Sequence, residues 1–239
     1  MVTPNVEGWF FEEVKRQQSV EFKYEIDDGI VTLSGIAHPH SQTKSGTTYS
    51  HLRLTSKESK NATMIGSDVL IEKYKSEQCL DSKFSNFARA LVGGFFARLK
   101  SQQDKNSIRG EVFSGLAISL DDYKRRVISA VILICSEHCV GISDYMPKNE
   151  DKSEIILMKE LAISNDQNWS HLNVEFDAEK SKFLFSINKK LVLEYVLNKY
   201  ELEKSTRSRK SVDIGLFTPD CGMDKKIEMT AKFKNFIVR

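Results

Sequence analysis

A charge field of one sign is missing from this sequence. Its 35 Lys and Arg against 33 Asp and Glu leave a net charge of +2 over 239 residues, too little to recruit nucleic acid or an anionic membrane by charge alone. Long apolar runs are missing too. The longest, Val127 to Cys135 interrupted by Ser129, is about half of the roughly 20 residues that a membrane helix needs, so no segment reads as a membrane span. Cysteine is sparse: Cys79, Cys135, Cys139 and Cys221 are the whole complement. A chain of this length builds a core without staples, so the cysteines leave the compartment open. The stretch Met1 to Trp9 lacks the charged and apolar blocks of a secretory leader. That predicts a cytoplasmic protein if Met1 is the native start, and an exported one if the chain is a trimmed mature form. There is no Gly-rich phosphate loop, nucleophile elbow or zinc-protease helix motif, which lowers the weight of an enzyme reading. No period of about 20 to 50 residues recurs, which excludes a repeat architecture.

What is present is alternation. Val20, Phe22, Tyr24 and Ile26 share one face of a strand, Asp27-Asp28-Gly29 reverses the chain, and Ile30, Val31 and Leu33 follow; Asp-Gly between alternating runs is a hairpin signal. Leu52 and Leu54 oppose Tyr49, His51, Arg53 and Thr55. Ala62 to Tyr74 reads as a longer strand with Gly66 as a bulge. Phe87 to Leu99 has aromatic and aliphatic residues at helical spacing, but Gly93-Gly94 in its middle would cost a helix about 2 kcal/mol relative to alanines, so it reads as a bent strand. Val112 to Leu120 alternates, Val127 to Cys135 is apolar on both faces as in a covered central strand, and Ile155 to Ile163 supplies another. Trp9-Phe10-Phe11 and the residues up to 18 read as a short helix or an irregular opening segment. Lys75 to Phe84 and Ser136 to Glu154 read as loops. From Trp169 the pattern is clearest: a strand with Leu172, Val174 and Phe176 on one face, the polar turn Asp177 to Lys182, then Phe183, Phe185 and Ile187. Leu191 to Val196, Val212 to Phe217 and Ile227 to Val238 follow as further strands. About eleven strands with no clear helix predict a single all-β domain over residues 1–239, an antiparallel β-sandwich of the jelly-roll kind.

The order of elements in Trp169–Arg239 resembles the closing half of the concanavalin A-like lectin/glucanase superfamily, whose laminin-G-like modules share it. A Trp-led strand is followed by a hairpin near an Asn-Gly turn, a Gly-Leu strand (Gly215-Leu216) and a terminal Asp-Asn-Phe strand. Here Lys189 stands in place of the usual Gly and Lys234 in place of the usual Asp. The resemblance implies two antiparallel sheets packed as a jelly roll, with the first and last strands near each other. It also implies calcium as the one cofactor to consider. Members of that superfamily bind glycans, cleave them or contact proteins on the same sandwich, so the resemblance sets fold and leaves activity open.

Several constellations carry chemistry, each beside a plainer reading. Glu175-Phe176-Asp177-Ala178-Glu179 puts acids on one face of a strand, and a carboxyl pair about 5 to 5.5 Å apart is what retaining glycoside hydrolysis requires. The same residues describe the solvated face of a hairpin running into a Lys-rich turn, and that reading is preferred. Cys135-Ser-Glu-His138-Cys139 offers two thiols and an imidazole, but zinc wants four ligands and no second cluster lies nearby. A local disulfide or two reduced thiols fits better; in an exported form Cys135 with Cys139 is the first pairing and Cys79 with Cys221 the second. His38-Pro39-His40 is either a metal pair or polar loop. Sugar binding needs exposed aromatics with amide and carboxylate partners, for which Trp9, Tyr49, Tyr74, Tyr123, Tyr145 and Tyr200 lie beside loops, whereas Trp169 is assigned to packing. Lys199 to Lys210, with Arg207 and Arg209, reads by default as a solvated loop and otherwise as a basic contact surface. Three functions remain: a noncatalytic module binding carbohydrate, a glycoside-active enzyme using Glu175 and Asp177 or an acid such as Glu111, and a protein-interaction domain with no small-molecule site.

Overall fold

The computed structural model describes residues 9–14, 20–38, 48–56, 63–75, 77–79, 108–121, 127–134, 137–145, 154–164, 168–197, 207–218 and 226–239. Apolar side chains at every second position can be hidden from water only if another layer covers them, and the chain meets that demand with two antiparallel sheets. One contains β1 (Trp9–Val14), β4 (Thr48–Ser56), β14 (Arg207–Thr218), β7 (Ile108–Asp121), β8 (Val127–Ile134), β9 (Glu137–Tyr145) and β10 (Glu154–Ser164) in that spatial order, with β6 (Glu77–Cys79) paired to β7. The other runs β13 (Lys190–Val196), β12 (Lys182–Ile187), β11 (Ser170–Asp177), β5 (Met64–Lys75), β15 (Ile227–Val238), β3 (Ile30–Ala37) and β2 (Val20–Asp27). No helix occurs among the described residues, and none is long and apolar enough to cross a membrane.

One hydrophobic cluster lies between the sheets and draws on both. Val31, Leu33, Ile65, Val69, Val174, Phe183, Phe185 and Phe233 come from the seven-stranded sheet, and Leu52, Leu116, Ile118, Ile128, Ile132 and Val212 from the other. Each fully buried side chain of this size contributes about 1.5 to 3 kcal/mol relative to exposure. The hairpins obey their turn residues. Asp28 and Gly29 take φ of 43° and 74° between the paired Asp27 and Ile30, and Asn188 and Lys189 take φ of 51° and 66° between Ile187 and Lys190. Two successive left-handed residues match the right-handed twist of the flanking strands. Lys189 adopts this conformation although it carries a Cβ.

The alternation of Ile30 to Ala37 and of Ser170 to Ile187 appears in the structure as read, whereas Tyr24 and Leu191 are exposed and several other segments differ. Trp9–Val14 is a strand paired with β4, not a helix or irregular segment, because Trp9 and Phe11 alternate onto the core while Phe11 stacks on Tyr24 at 3.7 Å. Glu77–Cys79 and Glu137–Tyr145 are strands rather than loop. In β9, Val140 pairs with Ile132 and Ile142 with Ala130, so ladder bonds on both sides outweigh its weak apolar pattern. Arg207 to Lys210 belongs to β14 rather than to a solvated loop: Arg207 stands across from Asp121, and Lys210 is wholly buried on the same side as Val212. Gly66 is not the bulge. The β5–β15 register slips at two other places, with Glu72 the extra residue on β5 between the Thr230 and Ala231 pairs, and extra chain on β15 between Lys234 and Ile237. Phe87 to Leu99 lies outside the described residues.

Candidate functional site

β11 places His171, Asn173, Glu175 and Asp177 on one face, because Leu172, Val174 and Phe176 between them are buried in the core. The four form a polar row on the outer side of the seven-stranded sheet. Their neighbours across β5 are fixed by register: Asp68 opposite His171, Gly66 opposite Asn173 and Met64 opposite Glu175. On the other side Ser186 of β12 pairs with Asn173 and Leu184 with Glu175.

The upper end of this row is tightly organised. His171 Nδ1 lies 2.7 Å from Asp68 Oδ1, and Asn235 Nδ2 donates to Asp68 Oδ2 at 2.6 Å. Burial pushes the Asp68 carboxyl up, but the hydrogen bonds from Asn235 and His171, with the charges of His171 and Lys234, outweigh it and hold the group below its ordinary value. An ionised carboxylate only accepts, so the proton of the Asp68–His171 bond sits on Nδ1 and Nε2 is directed elsewhere. Asn235 reaches Asp68 because it occupies the bulge of β15 with φ 54°, a left-handed conformation that Asn tolerates better than most residues. Below the ring, the backbone N–H of His171 donates to Asn188 Oδ1 at 2.8 Å, and the N–H of Asn188 donates to the His171 carbonyl at 2.8 Å. The imidazole is therefore held from two directions. Trp169, half-buried and outside the core cluster, carries the Lys234 ammonium 4.0 Å from its ring centroid. Its packing partner is a lysine, and such a contact is worth about 0.5 to 1 kcal/mol at an exposed site.

Gly66 is buried beneath this surface. A Cβ at that position would stand 3.2 Å from Asn173 Oδ1, 3.5 Å from the Leu172 carbonyl oxygen and 3.6 Å from His171 Nε2, so the Asn173 and His171 side chains close over the glycine and a larger residue there would push them aside.

Glu175 and Asp177 share the face, as alternation requires, but Asp177 has local work. Its Oδ1 accepts from the backbone N–H of Lys180 at 3.1 Å and its Oδ2 pairs with Lys180 Nζ at 3.6 Å, which is how an Asp shapes a turn. Elsewhere on the sheet the acids are similarly matched with lysines, Glu72 with Lys232 at 2.6 Å and Glu194 with Lys182 at 2.9 Å. His38 Nε2 lies 3.1 Å from Glu21 Oε1 across the β2–β3 hairpin, while His40 lies outside the described residues. Tyr74 is 37% exposed near the end of β5. Trp9 packs on Phe236, with ring centroids 5.5 Å apart, at the edge of the core. Tyr123, Tyr200, Cys135 and Cys221 lie outside the described residues, as do the side chains of Tyr49, Tyr145, Glu111, Cys79 and Cys139. Among the described residues no three His, Cys, Asp or Glu side chains converge on a point. Calcium takes 6 to 8 oxygens, and both oxygens of Asp68 are already engaged, so this cluster does not fit it.

The residues that the sequence did not single out are Asp68, His171, Asn173 and Asn235, and Lys234 was noted only as a departure from the usual Asp. Asp68 is 103 positions from His171 and 167 from Asn235, so no local motif joins them. The one local signal was the polar alternation of β11 itself.

No protein-family model and no curated protein sequence matches the chain. Solved structures do match it in three dimensions. A LamA variant from Zobellia galactanivorans in complex with laminaritriose and laminaritetraose is 10% identical, with 98% of this chain and 93% of that one covered at a TM-score of 0.53. A prokaryotic β-1,3-1,4-glucanase (lichenase) derived from a mouse hindgut metagenome is 9% identical, with 96% and 97% covered at 0.51. A mixed-linkage-glucan GH16 protein of Bacteroides ovatus in complex with a product is 11% identical, with 96% and 94% covered at 0.50. Identities this low speak of architecture, and the architecture is the concanavalin A-like jelly roll that the strand pattern of Trp169–Arg239 resembles.

Proposed function

We propose that this protein is a noncatalytic β-sandwich module that binds carbohydrate, with β-linked glucose oligosaccharides as the first ligands to test. The observation that carries the reading is the match of the whole sandwich, over more than nine-tenths of either chain, to structures that hold laminaritriose, laminaritetraose or a glucan product. The noncatalytic half of the reading rests on the acids. Retaining hydrolysis needs two carboxyls about 5 to 5.5 Å apart, one of them free to attack and the other to donate a proton. Residues two apart on a strand have Cα atoms about 6.6 Å apart, and the carboxylate of Asp177 is engaged by the Lys180 backbone and ammonium. With Asp68 and Asp177 already engaged, Glu175 has no free second carboxyl beside it on this row, which suits recognition of neutral hydroxyl groups better than two-carboxyl acid–base chemistry.

Titration calorimetry with laminaritetraose and a mixed-linkage tetrasaccharide, run beside a reducing-sugar assay, tests both halves. Binding with no release of reducing ends is the expected result, unchanged in Glu175→Gln. Release of reducing ends that Glu175→Gln abolishes would replace this reading with the hydrolase, and absence of binding to every glycan on an array would remove carbohydrate altogether.

A further inference from the structure

We propose that the edge of β2 facing away from β3 is a homodimer contact, at which a second copy of this chain lays its own β2 antiparallel and continues the seven-stranded sheet across a two-fold axis at Phe22. The inference is independent of the carbohydrate-binding reading.

The two sheets end in β1 and β10 and in β13 and β2, and three of these edges are blunted. β10 slips register on β9 in two places and β13 on β12 in one, and such bulges twist an edge away from further pairing. β1 is six residues long and its charges, Glu12 and Glu13, are both acidic, so a copy laid against it would meet no opposite charge. β2 lacks both the bulge and the one-sided charge. It runs eight residues without proline, in unbroken register with β3 from Val20 opposite Ala37 to Asp27 opposite Ile30. No described strand takes its other side, and Glu21, Lys23, Tyr24 and Glu25 are all exposed. Tyr24 is the most telling of them: its ring stacks on Phe11 at 3.7 Å, yet the residue is 52% exposed. An edge of backbone N–H and C=O groups beside an uncovered aromatic is a template for another strand.

The charges on β2 select the occupant and the register. In an antiparallel pair, residues directly opposite each other point to the same face, so a two-fold pairing is centred on a residue. Centred on Lys23, it sets lysine against lysine and Glu21 against Glu25. Centred on Tyr24, it matches Lys23 with Glu25 but opposes Glu21 to Asp27. Centred on Glu21, Glu25 or Ile26, it sets acid against acid. Centred on Phe22, it sets Glu21 opposite the partner's Lys23 and Lys23 opposite the partner's Glu21, and no like charges face each other over residues 20–24. On the inner side Phe22 meets the partner's Phe22. There Tyr24 comes opposite the partner's Val20, which covers the ring that solvent reaches in the single chain. His38 Nε2 lies 3.1 Å from Glu21 Oε1 but leaves both side chains about half-exposed, so the carboxylate keeps room for a lysine.

Sedimentation equilibrium of the full-length chain over a range of concentrations tests the contact. Wild type is expected to dimerise. Lys23→Glu and Glu21→Lys each turn both ion pairs into like-charge pairs, and each should weaken dimerisation about tenfold. An equimolar mixture of the two variants should recover it, because each altered charge then faces its opposite. Hydrogen exchange at the β2 amides should slow as wild type is concentrated. Thermal melts identify a variant that fails to fold, in which case the exchange of the wild-type amides decides. A wild type that stays monomeric at about 1 mM chain, a dimer that the folded variants form as tightly, a mixture that associates no better than its parts, or amide exchange that ignores concentration would overturn the proposal.

Discussion

Replacing Lys189 with glycine should make the protein more stable, and the structure gives the size of the effect. Asn188 and Lys189 form a two-residue hairpin with φ of 51° and 66°, and the pairing of Ile187 with Lys190 leaves no freedom to relax it. An L-residue in this region brings its Cβ against the following carbonyl at a cost of about 1 to 2 kcal/mol. Glycine removes that strain, but its unfolded chain is freer, which returns about 0.5 to 1 kcal/mol. The Lys189 side chain is exposed, so little contact is lost with it. The net gain is about 0.5 to 1 kcal/mol, or roughly 1 to 4 °C in melting temperature for a domain of this size. Calorimetric melts of wild type, Lys189→Gly and Lys189→Ala separate the causes. Alanine keeps the Cβ and should leave the melting temperature nearly where it was, while glycine raises it. A glycine variant that melts no higher than wild type, or an alanine variant that gains as much, would refute the argument from backbone strain.

Other consequences are as direct. Gly115→Ala should destabilise by about 3 kcal/mol, since its Cβ would fall 2.8 Å from the Leu133 Cα and closer still to the Ile132 carbonyl in the adjacent strand; urea unfolding reads this, and an unchanged midpoint would contradict the packing of β7 on β8. Lys234→Ala should uncover the Trp169 ring, red-shifting its emission and raising acrylamide quenching; an emission spectrum that does not move would mean that the ammonium does not cover the indole. Acid should weaken the fold through two carboxyls. Burial pushes Glu228 up, but its pairs with Lys226 and Lys73 outweigh this, so it lies below its ordinary value of 4.5, as Asp68 lies below 3.8. A depressed folded-state value contributes stability above the unfolded value and loses it as pH falls through the folded one. Asp68→Asn with Glu228→Gln should therefore cost most near neutrality and least below the ordinary range, and a stability deficit that is constant with pH would count against it.

Where the chain was legible, a single rule made it so. From Trp169 to Asp177, alternation assigned Leu172, Val174 and Phe176 to the core and left His171, Asn173, Glu175 and Asp177 to the other face, and the structure has this arrangement. The Asp-Gly turn before Ile30 was equally plain, because few other residue pairs take that geometry without strain. Legibility failed where pairing overrode pattern. Val140 and Ile142 of β9 are too few to announce a strand, and only neighbours on both edges make one. The basic run ending at Lys210 looked like loop because charge is rarely buried, yet β7 alongside continues the ladder through it.

The sequence by itself determined that there would be two one-sided sheets and, for strands such as β3, β11 and β12, which side would be wet, since that depends only on spacing along a strand and on water. It did not determine which wet residues would meet. Asp68, His171 and Asn235 come together through the register of β11 on β5 and a bulge in β15, and Gly66 is covered by Asn173 and His171 only because Asn173 is the residue opposite. Register is a property of paired strands, and a strand slipped by two residues would keep the same core and lose every one of these contacts.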